Sequence, residues 1–93
     1  AAILRRTLGA GAVGDAKPRM GGEDFACYGR AGVPICLIRL GSIRPDRLAE
    51  LQRSQDGPPA AHSPFYYPDP EETLTTGIVA MTSLAIELMP VQP

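Results

Sequence analysis

Tryptophan is missing from this chain, histidine occurs once, and three Tyr and two Phe are all the aromatic rings in 93 residues. Aromatic side chains bury the most area per residue. A chain this short and this poor in them therefore gains only a few kcal/mol, roughly, from a core of its own. An excess of one charge sign is missing too. Nine Lys and Arg stand against ten Asp and Glu, for a net charge of -1, and the arginines are scattered. Neither nucleic acid nor an anionic membrane has a patch to grip. Long apolar runs are absent, because the candidates are broken at Pro34, Arg39 or Gly77, so neither a membrane span nor the apolar core of a secretory signal is expected. The expectation is a cytoplasmic protein. Cys27 and Cys36 lack the CxxC spacing of a metal site and lie among apolar neighbours. They read as two buried, reduced thiols, with a disulfide or a reactive thiol as the alternatives.

What is present is the composition of a folded segment: 44% hydrophobic residues, with Gly and Pro together below the roughly 25–30% of a low-complexity chain. No repeat and no Ser/Gly-rich or charged linker divides it, so residues 1–93 are expected to form one unit. The opening "AAILRRTLG" carries no initiator Met and reads as a helix with Ile3, Leu4 and Leu8 on one stripe, ending at Gly9 or Gly11. "AVGD" could be a short strand. Glu23 and Asp24 fall in the first turn of a short helix that Gly29 and Gly32 stop. "VPICLIRLG", from Val33 to Gly41, is nearly continuous in apolar residues, which predicts a strand covered on both faces and hence a mixed or parallel sheet with helices on each side. That makes the expected class α/β. Leu48 and Leu51 suggest a short surface helix before Gly57. The last helix is the best marked: Asp69 as N-cap, Pro70 at the first position, Glu72 in capping-box register and Pro90 as terminator. Leu74, Ile78, Met81, Ala85 and Leu88 form its apolar stripe, widened by Val79, Ile86 and Met89, which should pack on the sheet while Thr76, Ser83 and Glu87 face water. Gly77 inside it costs about 1 kcal/mol relative to Ala and implies a close neighbour.

Two loops carry the residues suited to chemistry. In "PAAHSPFYYPDPEE", His62 is flanked by Pro58, Pro59, Pro64 and Pro68, which restrict the backbone and would present the imidazole rigidly. The simpler alternative is a solvated or locally bonded ring, since no second His, HExxH or CxxC stands beside it. In "PRMGGEDF", Gly21 and Gly22 allow close approach of the backbone to a ligand ahead of a helix. Its simpler alternative is a glycine turn with ordinary acidic capping. Glu23 and Asp24 are adjacent and point apart on a helix, so they do not make a general acid and base couple.

Taken together, "MGGEDFACYGRAGVPICLIRLG" and "HSPFYYPDPEETLTTGIVAMTSLAIEL" resemble the C-terminal part of the metal-dependent amidohydrolases related to hippurate hydrolase, aminoacylase and the indole-acetyl-amino-acid hydrolases, within the co-catalytic zinc carboxypeptidases. The resemblance runs from Pro18 to Leu88. It implies that residues 1–93 are the C-terminal portion of a three-layer α/β catalytic domain, a mixed sheet covered by helices, whose N-terminal portion and inserted lid domain are not in this chain. It also implies hydrolysis of the amide of N-acyl amino acids or short peptides. Two divalent ions, Zn, Mn or Co, about 3.5–4 Å apart, would activate a water whose proton a carboxylate removes. By the same resemblance His62 matches the last metal ligand, Gly21, Gly22 and Glu23 line the substrate pocket, Asp24 is a structural cap, and no catalytic residue lies in this segment. Homodimers formed through the lid are implied as well. The longer, arginine-containing stretch between Gly41 and His62 departs from the family's pattern and leaves substrate choice open, and the role of Arg44 to Gln55 within it is not specified by the resemblance. The alternatives are a non-enzymatic α/β binding module and a relative that has lost its chemistry.

Overall fold

The computed structural model describes residues 1–17, 24–89 and 91. Four helices organise them: α1 (Ala2–Leu8), α2 (Ala26–Arg30), α3 (Pro45–Arg53) and α4 (Pro70–Leu88), with one 3-10 turn at Ala10–Ala12. Helix α1 packs against α4. Leu4 and Ala80 are the buried hydrophobic residues of the contact, and Arg6 on α1 pairs with Glu87 near the end of α4.

The local punctuation acts largely as composition predicts. Gly9 ends α1 at φ +92°, Gly57 turns the chain after α3 at φ +65°, and Pro45 and Pro70 occupy first-turn positions where their missing N–H is not needed. Helix α2 is shorter than "EDFACYGR" suggests. Its end is a Schellman motif, in which the Gly32 N–H donates to the Gly29 carbonyl (3.0 Å) and the Val33 N–H to the Tyr28 carbonyl (3.1 Å), with Gly32 at φ +84°. Asp24 does not cap it with its side chain. The N-cap position is Phe25, and Asp24 contributes its main-chain carbonyl to the Cys27 N–H at 2.9 Å.

The α/β expectation is overturned: among the described residues there is no strand, so the chain is helical and no three-layer sheet exists in it. Residues 33–41 run without helix, turn or bend, as a strand would, but among the described residues no second strand pairs with them. The physical reason is that a ladder needs two backbones, whereas an apolar run specifies only that its side chains avoid water. "AVGD" does not supply the second. Residues 13–17 are likewise irregular, tied back to α1 by Arg5, which reaches Asp15 at 3.0 Å and the Val13 carbonyl at 3.5 Å. Both cysteines are free and exposed rather than buried.

Without a sheet, the packing face of α4 is not the expected one. Its inward side is the line of small residues, with Ala80 buried and Thr73, Thr76 and Gly77 half-buried. The large stripe looks outward: Leu74, Ile78, Met81 and Leu88 are each 60–65% exposed. Small side chains let a neighbouring backbone close in. A Cβ built on Gly77 would lie 3.2 Å from Leu40 Cδ2, so the 33–41 run lies against this helix at that glycine.

The result is an open molecule. Its accessible surface is 8014 Å², whereas a compact monomer of 9.9 kDa exposes roughly 5200 Å². Its radius of gyration is 15.9 Å, against about 13 Å for a compact chain of 100 residues. Among the described residues, no helix is long and apolar enough to cross a membrane.

Two glycines should respond oppositely to substitution. Gly77→Ala removes a helix-interior glycine costing about 1 kcal/mol, and Leu40, 41% exposed, has room to give, so thermal unfolding followed by circular dichroism should shift upward. Gly32→Ala places a Cβ in the left-handed region at a cost of about 1–2 kcal/mol and should shift it downward. A fall for Gly77→Ala would mean that Leu40 is held rigidly.

Candidate functional site

The histidine loop is defined by what its main chain can still donate, since Pro58, Pro59, Pro64 and Pro68 have no N–H. The Ser63 N–H reaches the Ala60 carbonyl at 2.9 Å, which closes a turn with His62 at its third position. Ser63 then turns the chain again. Its Oγ accepts from the Phe65 N–H at 3.2 Å and its carbonyl accepts from the Tyr66 N–H at 3.0 Å. A serine hydroxyl bonded two residues ahead is the ordinary local brace for such a bend.

Beyond Tyr66 the loop is clamped to the segment that follows the apolar run. The Tyr66 hydroxyl pairs with the Ser42 hydroxyl in a short hydrogen bond. The Asp69 N–H donates to the Ser42 carbonyl at 2.7 Å, and the Thr73 hydroxyl reaches the same carbonyl at 3.4 Å. Asp69 precedes α4 as expected, yet its carboxylate does not cap the helix. It accepts instead from the Arg44 N–H at 2.8 Å and from Arg47 Nη1 at 3.3 Å, with Arg44 Nε at 3.7 Å. Arg47 also lies over the Tyr67 ring, 5.4 Å from its centroid, a cation–π contact. The hydrogen bond from the Arg44 main chain, followed by the nearby positive charges of Arg47 and Arg44, holds the Asp69 carboxyl below its usual value of 3.8, against an opposing effect of desolvation.

This junction gives the stretch from Arg44 to Gln55 a role. Helix α3 lies in it and presents Arg47 to both Asp69 and Tyr67, which anchors the exit of the histidine loop. Sequence reasoning passed over Ser42, Arg47 and Tyr66. The available signal was weak: two arginines three residues apart at a helix start, and an aspartate that a capping reading had already used.

Of the expected site residues, His62 is the one that lies among the described residues. His62 is exposed on its turn. Gly21, Gly22 and Glu23 lie outside the described residues, as does Pro90. Among the described residues, no group of three His, Cys, Asp or Glu side chains could hold a metal ion. A lone imidazole fits one position of a shared metal centre, but it does not make a centre by itself.

The junction should be visible in the pH dependence of stability. The Asp69 carboxyl titrates below its ordinary value in the folded chain, so its contribution is fully present above that ordinary value and is lost as pH falls through the lowered one. In urea titrations, Asp69→Asn should lower stability near neutrality and flatten the acid limb relative to the parent. Parallel acid limbs in the two proteins would remove the junction from the list of stabilising contacts.

No protein-family model, curated protein or solved structure matches the chain.

Proposed function

We propose that this chain serves as one part of a metal-dependent amidohydrolase that cleaves N-acyl amino acids or short peptides, with His62 as a single donor to a metal centre. The observation that supports the reading is the order of parts between Pro18 and Leu88: a glycine and acid loop, an apolar run ending in Gly41, His62-Ser63-Pro64, and a strongly delimited last helix. Two features of the folded chain agree with it. His62 sits on a braced turn with its ring exposed, so a ligand outside the chain can reach it. The surface is also far larger than a self-sufficient domain of this mass presents, and the apolar side chains on it require covering.

In this reading the other donors and the base come from polypeptide outside these 93 residues. Zn, Mn or Co ions, when bound, would lower the pKa of a water so that it can be deprotonated and attack an amide. What this chain contributes is placement. The turn at Ala60–Ser63 and the clamp at Tyr66 and Asp69 limit where the imidazole can go, and Gly21, Gly22 and Glu23 are assigned to the substrate side. The enzyme is cytoplasmic and homodimeric in this reading. No strand or sheet of this chain is part of it.

The test is metal content and release of free amino acid from a small panel of N-acyl amino acids, made on the complete polypeptide that carries this sequence and on its His62→Ala variant. The variant should lose zinc affinity by more than the roughly 10–100-fold that removal of an outer partner costs, and lose turnover with it. Unchanged zinc content and rate would overturn the role of His62. A complete polypeptide that binds no metal and cleaves none of the panel would overturn the hydrolase reading itself.

A further inference from the structure

A groove of about 500 Å³ is lined by residues of two runs without helix, turn or bend, 13–16 and 36–41, together with residues of α1 and α4. Leu4, Leu8 and Ala80 belong to the helical side, and Val13, Leu37 and Ile38 to the runs. Its volume is within the range of specific ligand sites. The polar side chains that such sites aim at a small molecule are scarce here. Those present are Asp15, already paired with Arg5, together with Arg39 and Thr76.

The unusual polar content is main chain. Among the described residues, no hydrogen bond joins the two runs across the groove, and none is made by the N–H groups of Ile35 to Gly41. Val13 stands at φ -123° and ψ 105°, an extended conformation. Unpaired peptide groups along a straight apolar segment are a template for another backbone. The side chains beneath are apolar and the mouth is open, which selects an occupant with one apolar face and one wet face, the alternation of an extended peptide.

We infer that this groove binds an extended peptide segment of another protein, with alternating apolar residues, held by main-chain hydrogen bonds to the runs at 13–16 and 36–41. The inference does not depend on His62 or on hydrolysis. The helical fold of the chain itself is unchanged by it.

A fluorescent peptide of alternating valine and threonine, titrated with the 93-residue chain and read by anisotropy, tests it. Saturable binding is expected. The same peptide N-methylated at alternate residues should bind at least about tenfold more weakly, because two or more main-chain donors are blocked. Leu37→Asp, at a residue that lines the groove and is 59% exposed, should weaken binding to a similar degree. Ile86→Asp, exposed and outside the groove, should leave it unchanged. Absence of binding by the parent peptide, or equal binding of the N-methylated one, would overturn the inference without reference to any variant's folding. So would a parent chain that elutes as a dimer and takes up no peptide, since the groove would then belong to a second copy.

Discussion

The contact on which the arrangement depends is the reciprocal pairing at Asp69, where the peptide N–H donates to the Ser42 carbonyl and the carboxylate accepts from the Arg44 N–H. Two backbones are thereby fixed in register with no side chain longer than an aspartate. One leads out of the apolar run and the other leads into α4. Once they are pinned at this end, the run continues along the helix until Leu40 meets Gly77. The same pairing closes the histidine loop, since Tyr66 and Asp69 both end on Ser42. A charged acceptor strengthens a main-chain hydrogen bond, and Arg47 keeps that charge in place from the next helix.

Energetically the molecule is organised by polar junctions more than by a core. Leu4 and Ala80 are its buried hydrophobic residues, while Val33, Leu37 and most of the α4 stripe remain in contact with water. A wide apolar stripe on a helix normally packs against a neighbouring element, and α4 carries one at Leu74, Ile78, Met81 and Leu88. Its small-residue side is used by α1 and by Leu40. Its large-residue side, with Leu74, Ile78, Met81 and Leu88, is exposed.

The legible parts of the fold were those written in local chemistry. Gly9, Gly32 and Gly57 take the positive φ that glycine allows where helices end or the chain turns, and Pro70 marks a real helix start because a proline there sacrifices no hydrogen bond. What failed was inference from apolar pattern to partner. Val33 to Gly41 has a strand's composition, yet composition cannot create the neighbouring backbone that turns an apolar run into part of a sheet. The same gap inverted α4. Leu74, Ile78 and Met81 make a helical stripe that implies something to lie on, and in this chain the side chains that find a neighbour are Gly77 and Ala80 instead. Asp69 shows a third kind of miss. An aspartate before a helix has two good uses for its carboxylate, and whether it caps or pairs is decided by Arg44 and Arg47, some two dozen positions away.

The histidine loop follows the same logic at the scale of one side chain. An exposed imidazole on a flexible chain contributes little to a shared centre, because ordering it consumes much of what the new bond returns. Here a large part of that ordering is already done. Four prolines narrow the backbone, the Ser63 hydroxyl fixes the bend after His62, and the clamp at Ser42 and Asp69 fixes where the loop must end. A ring carried on such a loop is presented to a partner at low cost. Because the described residues set no second donor beside it, the coordination number of any ion it meets has to be completed by groups that approach from the open side of the molecule.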